Sequence, residues 1–185
     1  SSENEDYRAE WTETCANAVA YLGNHPCVVA WVLFNEGWGQ FDARKAGELV
    51  RSLDPTRAID AVSGWYDQAC GDFLSVHNYF RPLAVYRDRR DLTGYARLAG
   101  GRAFTISVFG GGGHSSLATS YGYGSFPDLA SFGDAVRGAL ARADALEQQG
   151  LAGFVYTQLS DVEEETNGLL SYDRRVSKLA GGGLT

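Results

Sequence analysis

An acidic residue, Glu36, follows directly on an unbroken apolar run in this sequence. The run "CVVAWVLF" at 27–34 leads into Asn35 and Glu36. A carboxyl group at the end of a buried strand is desolvated, which raises its pKa and lets it serve as a general acid near neutral pH. Two structural roles compete with this interpretation, because Glu36 could instead cap the next helix or pair with Arg44.

The elements that must position this residue alternate between strand and helix patterns. Periodic apolar positions predict helices at 4–22, 42–51, 83–98 and 128–149. Apolar and β-branched runs predict strands at 27–34, 58–63, 72–79, 102–109 and 153–160. We expect the strand at 27–34 to be buried on both faces, as in a parallel sheet covered by helices. The alternation predicts an α/β fold built of βα units in one domain, residues 1–185.

The carboxyl ends of parallel strands lie at one rim of a sheet, where α/β folds place their binding sites. The side chains expected at this rim are mostly aromatic or hydrogen-bonding, and they include Asn35, Glu36, Trp65, His77, Tyr79, Tyr156 and Gln158. Sugars are bound by this mixture, since flat rings cover their C–H faces and polar groups fix their hydroxyls. The rim therefore predicts a carbohydrate site.

Five segments, taken in order, resemble the catalytic barrel of the family 2 glycoside hydrolases, the β-galactosidase and β-glucuronidase group. They are "NHPCVVAWVLFNEGWG", "LDPTRAIDAVSGW", "SVHNYFRP", "FTISVFGG" and "AGFVYTQLSDVEEETNGLLSYDRR". The resemblance implies that 27–34 is the fourth strand of a (β/α)8 TIM barrel and 153–160 the eighth. We therefore expect the C-terminal part of such a barrel, with parallel strands and outer helices.

The same resemblance implies roles for single residues. Glu36 takes the acid/base position, and Asn35 the position that binds the sugar beside the cleaved bond. His77 and Tyr79 match positions that line the pocket, and Tyr156 stands where related enzymes often carry a tryptophan under the sugar ring. Further candidates for the substrate pocket are Trp65 and Gln158.

Val108 departs from the family pattern. Family members read Ser-Glu-Phe-Gly-Gly where this chain reads Ser-Val-Phe-Gly-Gly at 107–111, and that glutamate is the nucleophile. Retaining hydrolysis needs two carboxyl groups about 5 to 5.5 Å apart. Valine has neither a lone pair nor a charge, so we expect an inactive or severely impaired glycosidase. Asp161 and the glutamates at 163–165 are alternative acids, but successive glutamates are typical of a solvated loop.

The amino-acid composition limits the classes of partner and cofactor that this chain is expected to bind. The net charge of -7 argues against binding to nucleic acids or anionic membranes, which requires clustered Lys and Arg. No apolar stretch approaches the roughly 20 residues that span a bilayer. The three widely spaced cysteines suggest neither a disulfide framework nor a zinc site and fit either a reducing compartment such as the cytoplasm or incidental buried thiols. We predict no cofactor; magnesium is suggested by the family resemblance alone, without a ligand cluster.

Three hypotheses about function follow. The first is part of a retaining β-glycosidase barrel that has lost its nucleophile, and the second is a pseudoenzyme that binds a sugar without cleaving it. The third is a barrel fragment completed by self-association, by a missing N-terminal segment or by another chain. From the absence of methionine and the five predicted strands we expect a fragment, a degenerate gene product or an incomplete chain.

Overall fold

The computed structural model describes residues 3–79, 83–84, 100–113, 124–179 and 182–183. The helices in this part of the chain are α1 (Glu5–Leu22), α2 (Ala43–Leu53) and α3 (Leu129–Glu147). The strands are β1 (Ala30–Val32), β2 (Ala58–Asp60), β3 (Phe73–Asn78), β4 (Ala103–Gly110), β5 (Gly112–Gly113), β6 (Gly124–Ser125), β7 (Gly153–Thr157), β8 (Val176–Ser177) and β9 (Gly182–Gly183). The predicted helix at 83–98 lies almost wholly outside the described residues.

The chain divides into two compact units. The first comprises Ser1–Val76 and Tyr86–Thr105, and the second comprises His77–Val85 and Ile106–Thr185. A three-stranded sheet has the order β3-β4-β7, and both β3 and β4 begin in the first unit and end in the second. The single domain expected from the sequence stays a prediction.

In the first unit, β1 and β2 pair in parallel, as the sequence predicts. Their register places Trp31 opposite Ile59. A further parallel bridge joins Asn35 to Ser63, so the two chain segments run side by side beyond the strands themselves. Ser63 N–H donates to Phe34 O at 2.8 Å, which keeps the carboxyl ends of both strands together.

The expected burial of 27–34 on both faces is wrong for this chain. Phe34 belongs to the core, but Val29 is 75% exposed and Val32 is 60% exposed. Among the described residues, β1 has β2 as its only strand neighbour, in a two-stranded sheet. A strand at a sheet edge has fewer elements to cover its side chains, which explains why Val32, and Val29 just before the strand, are exposed to solvent.

The core of the first unit is formed where α1 and α2 pack beside this sheet. Trp11, one of the apolar residues that recur along α1, stacks on Phe34 with ring centroids 4.8 Å apart. α2 buries a stripe of small side chains, Ala43, Ala46 and Val50, at the spacing of one helix face. The apolar periodicity that predicts α2 is thus the pattern of its buried face, whereas in α1 Val19 is buried and Leu22 is 37% exposed.

A buried carboxylate, Asp54, joins the elements of the first unit. It follows the last residue of α2 and is 6% exposed. Its oxygens accept from Trp31 Nε1 at 2.9 Å, from the Thr56 hydroxyl at 2.6 Å and N–H at 3.0 Å, and from the Arg57 guanidinium at 2.9 Å. The hydrogen bonds from the Thr56 hydroxyl and Trp31 hold the pKa of Asp54 well below its usual range, against the opposing effect of desolvation.

Arg57 extends the same network to the connection between α1 and β1. Its Nε donates to Val28 O at 2.8 Å and its Nη2 to His25 O at 3.2 Å. Together with the ion pair to Asp54, these bonds fix the start of β2 against the segment that leads into β1. We call the network of Asp54, Thr56, Arg57 and Trp31 the Asp54 cluster.

The second unit contains α3, which begins and ends close to the predicted bounds. Asp128 caps it, because its carboxylate accepts from Ser131 N–H at 2.8 Å. Phe132, Val136 and Leu146 are among the helix residues that are buried. On β4, Ile106 and Phe109 are buried as well, so the second unit has its own apolar core.

The Asp54 cluster makes a prediction about stability. Asp54→Asn keeps the size of the side chain but leaves the largely buried Arg57 without its counter-charge, so we expect a clearly lower urea midpoint at pH 7. The pKa of Asp54 is lowered by folding. Its contribution is therefore present above the unfolded value of about 3.9 and is lost as pH falls through the folded value.

Urea unfolding of both proteins between pH 7 and pH 3 measures this. The difference between wild type and Asp54→Asn should shrink as the solution becomes acidic. Asp134→Asn is the matched control, because Asp134 pairs with Arg137 at 2.7 Å on the solvent side of α3. An Asp54→Asn midpoint as close to wild type as the control's would contradict the role of the cluster.

Candidate functional site

Glu36 lies just beyond β1, where its backbone is fixed by the neighbouring segment. Its N–H donates to Ser63 O at 2.9 Å, and its side chain is partly buried. Its φ of 55° lies in the left-handed region, which non-glycine residues seldom adopt and which recurs at functional sites. The competing role as a helix cap is not realised, because Asp42 occupies the N-cap position of α2.

Asn35 and Trp65 lie beside Glu36 on the same pair of chain segments. Asn35 is exposed and bridges to Ser63, and Trp65 follows two residues after Ser63 with 45% of its surface exposed. Parallel pairing of β1 and β2 therefore gathers an amide, a carboxyl group and an indole at the ends of two adjacent strands. The sequence predicts these three side chains at the rim together with residues from the other strands, and their shared role in one site stays a prediction.

His77 and Tyr79 lie at the end of β3, in the second unit. His77 is buried, and its ring centroid is 6.0 Å from that of Tyr79 in an edge-to-face arrangement. Such contacts fix the orientation of both rings.

Tyr156 packs on a glycine at the end of β4. Its ring contacts Phe109 edge-to-face at 5.5 Å, and burial raises the pKa of Tyr156 to about 12. Gly110 has a φ of 100°, and a Cβ there would lie 2.5 Å from the Tyr156 ring. A cavity of about 220 Å³ is lined by Tyr79, Gly110 and Tyr156 together with residues of α3 and β5. The structure thus brings Tyr79 and Tyr156 to one cavity.

Val108 and Gln158 lie near the ends of β4 and β7. Val108 is partly buried, and Gly111 N–H donates to Thr157 O at 3.1 Å, which places the end of β4 beside that of β7. The Gln158 amide donates to Oδ1 of the fully buried Asn167 at 2.6 Å. Gln158 therefore has a structural contact in addition to the predicted contact with substrate.

Two of the acids that follow β7 are hydrogen-bonded within the fold. Asp161 accepts from Lys178 Nζ at 2.6 Å and from Gly168 N–H at 2.9 Å, and Glu165 accepts from Asn167 Nδ2 at 3.1 Å. Lys178 is 6% exposed and also donates to the Thr166 carbonyl at 2.9 Å. Sequence reasoning missed Lys178, since no local pattern marks a lysine as buried. Asp161 thus has a structural role, as the partner of a buried ammonium group.

Among the described residues there is no metal-binding cluster, membrane-spanning helix or disulfide bond. They contain no group of three or more His, Cys, Asp or Glu side chains placed to hold a metal ion. None of their helices is both long and apolar enough to cross a bilayer. Cys15, Cys27 and Cys70 are free thiols.

The predicted site residues fall into two groups. Those of the first unit are Asn35, Glu36 and Trp65, and those of the second are His77, Tyr79, Val108, Tyr156 and Gln158. Each group sits at or just beyond strand ends, as expected for a parallel α/β fold.

Parallel strands with helices, together with strand-end side chains, define part of an α/β barrel. The model of the glycosyl hydrolases family 2 TIM barrel domain matches residues 1–96, just over half of the 185. The chain therefore belongs to glycoside hydrolase family 2. Among curated proteins, none matches this sequence.

Solved structures show the same fold. The β-D-glucuronidase of Dictyoglomus thermophilum has a TM-score of 0.66 at 20% identity, with 92% of this chain and 33% of that chain covered. A family 2 β-galacturonidase from Eisenbergiella tayi, bound to galacturonate, has a TM-score of 0.69 at 17% identity, with coverage of 96% and 36%. This chain thus spans about a third of the length of these two proteins.

The contact between Gly110 and Tyr156 generates a prediction. Gly110→Ala should be destabilised by more than Gly150→Ala, although both glycines have φ near 100°. The backbone strain of about 1 to 3 kcal/mol is common to both variants, whereas only the Cβ at position 110 meets the Tyr156 ring. Nothing lies within 4 Å of a Cβ at Gly150. Urea unfolding measures both variants, and equal losses of stability would show that the ring is not held against this glycine.

Proposed function

We propose that this chain is the C-terminal part of a family 2 β-glycosidase barrel in which Glu36 holds the acid/base position. The observation that carries the proposal is the pairing of the Asn35-Glu36 segment with Ser63 at adjacent strand ends in a chain of this family. The substrate would be a β-glycoside. Uronides are the first to test, since the similar structures include a glucuronidase and a galacturonidase.

In this proposal, Glu36 holds the position from which an acid protonates the glycosidic oxygen while a nucleophile attacks the anomeric carbon. Asn35 would bind a hydroxyl of the sugar beside that bond, while Tyr156, Tyr79 and His77 would form part of the pocket. The aromatic rings supply flat apolar surface for the pyranose. Trp65 and Gln158 complete the proposed substrate contacts.

The retaining reaction cannot be completed by these residues alone. It requires a second carboxylate, about 5 to 5.5 Å from the acid/base, that attacks the anomeric carbon and later releases the sugar to water. Val108 holds the matching position in the family pattern and offers only carbon. Asp161, the nearest acid after β7 in sequence, is bonded to Lys178. We therefore infer that the chain is inactive or severely impaired as a glycosidase.

A sugar-binding pseudoenzyme is the second candidate function. It is favoured by Tyr79 and Tyr156, which line one cavity although the nucleophile position carries valine. Such a protein would hold a sugar in the pocket without cleaving it.

Completion of the barrel is part of the same proposal. The exposed Val32 on β1 and Val29 just before it provide apolar surface that a neighbouring element would cover. This element would come from a preceding segment of a longer chain, from a second copy or from another polypeptide.

Hydrolysis and binding assays on the same samples test the proposal. We expect no turnover of nitrophenyl β-glucuronide, β-galactoside or β-mannoside above the level of Glu36→Gln. Turnover that disappears in Glu36→Gln would contradict the predicted loss of activity. Binding of glucuronate or galactose without turnover, lost in Tyr156→Ala but kept in Tyr172→Ala, would favour the pseudoenzyme, since Tyr172 is an exposed tyrosine of the same unit.

A further inference from the structure

Two aromatic rings are exposed on the loops that follow β1 and β2. Trp38 is 80% exposed and Tyr66 is 70% exposed. A single exposed aromatic residue is ordinary, but both of these lie close to Glu36 along the chain or in space. The Tyr66 ring packs on Gly37, where a Cβ would lie 2.5 Å from ring carbon Cδ2. The Tyr66 ring thus contacts Gly37, the residue next to the proposed acid, and Trp38 is the residue that follows Gly37.

The loop that carries Trp38 is fixed by hydrogen bonds. Trp38 N–H donates to Asn35 O at 3.0 Å, and Gln40 N–H donates to Gly37 O at 3.3 Å. At the far side of the loop, the Tyr7 hydroxyl of α1 donates to Gly39 O at 3.1 Å. These bonds hold the backbone on both sides of an indole that is itself left in solvent.

The second loop is joined to the first. Tyr66 has a φ of 64°, and its carbonyl accepts from Gln40 Nε2 at 3.1 Å and from Gln68 Nε2 at 2.9 Å. A tyrosine in the left-handed region is uncommon, and the surrounding contacts must hold it there. The loops that carry these exposed rings have an ordered backbone, so little loop entropy is left to lose on binding.

We propose that Trp38 and Tyr66 form an aromatic platform that binds the leaving-group part of a β-glycoside and selects leaving groups with a flat ring. The inference rests on the proposed function of Glu36. A general acid must come within about 2.6 to 3.2 Å of the oxygen that it protonates. That oxygen departs with the leaving group. The Tyr66 ring, which packs on Gly37, and the Trp38 ring are therefore placed to contact the group attached to this oxygen.

Paired ligands test the platform. Methyl and 4-nitrophenyl β-glycosides of the same sugar, glucuronate or galactose, are titrated into the intact chain by calorimetry or by ligand-observed NMR. We expect the aryl glycoside to bind about tenfold more tightly than the methyl glycoside, the size of a good aromatic contact. In Trp38→Ala and in Tyr66→Ala this preference should fall below about threefold, while the affinity for the methyl glycoside stays unchanged.

Tyr21→Ala is the matched control. Tyr21 is 78% exposed, a fraction similar to that of Trp38. It lies fourteen residues beyond Tyr7 on α1, or about 21 Å along the helix axis. This variant should keep the full preference for the aryl ligand. Circular dichroism confirms that each variant is folded.

The outcomes separate the platform from the function on which it rests. If the preference for the aryl glycoside survives both substitutions, the platform is overturned and the proposed function stays intact. The same holds if a folded variant loses affinity equally for the methyl and the aryl glycoside. If no methyl or aryl glycoside of either sugar binds to wild type, both proposals are overturned.

Discussion

The pairing of a buried carboxylate with a guanidinium, Asp54 with Arg57, is the interaction on which the first unit depends. Removing two charges from water is costly, and the cost is offset only when their remaining hydrogen-bonding groups are also satisfied. Here Trp31, Thr56 and the carbonyls before β1 satisfy them. The network joins the entry to β1, the end of α2 and the start of β2. It therefore supports the parallel register that carries Glu36 to Ser63.

Much of the fold could be predicted because its signals are local. Asn4 and Asp128 cap α1 and α3 directly before their apolar periodicity begins, and α2 ends at Leu53, just before Asp54-Pro55. The exposure of Val29 and Val32 could not be predicted in this way. Burial depends on which elements cover a strand, and an apolar run has the same sequence pattern whether or not the covering elements are present.

The site could be predicted only in part. Glu36 stands out because a carboxyl group follows a buried run, whereas the meaning of Val108 comes entirely from the family pattern. Lys178 beneath Asp161 and the left-handed backbone of Tyr66 depend on contacts between distant positions, and neither has a sequence signature. Of the glutamates at 163–165, which the sequence predicts to be solvated, Glu163 and Glu164 are exposed, whereas Glu165 accepts a hydrogen bond from the buried Asn167.

An acid/base without a nucleophile is the central chemical claim, and covalent trapping measures it most directly. The chain would be incubated with fluorinated mechanism-based inactivators of β-glucuronidases and β-galactosidases, and its intact mass recorded by mass spectrometry. NMR of the fluorine nucleus would follow binding in the same sample. We predict an unchanged protein mass even where the fluorinated sugar binds. A covalent sugar adduct on Asp161, on a glutamate at 163–165 or on any other acidic side chain would contradict the claim.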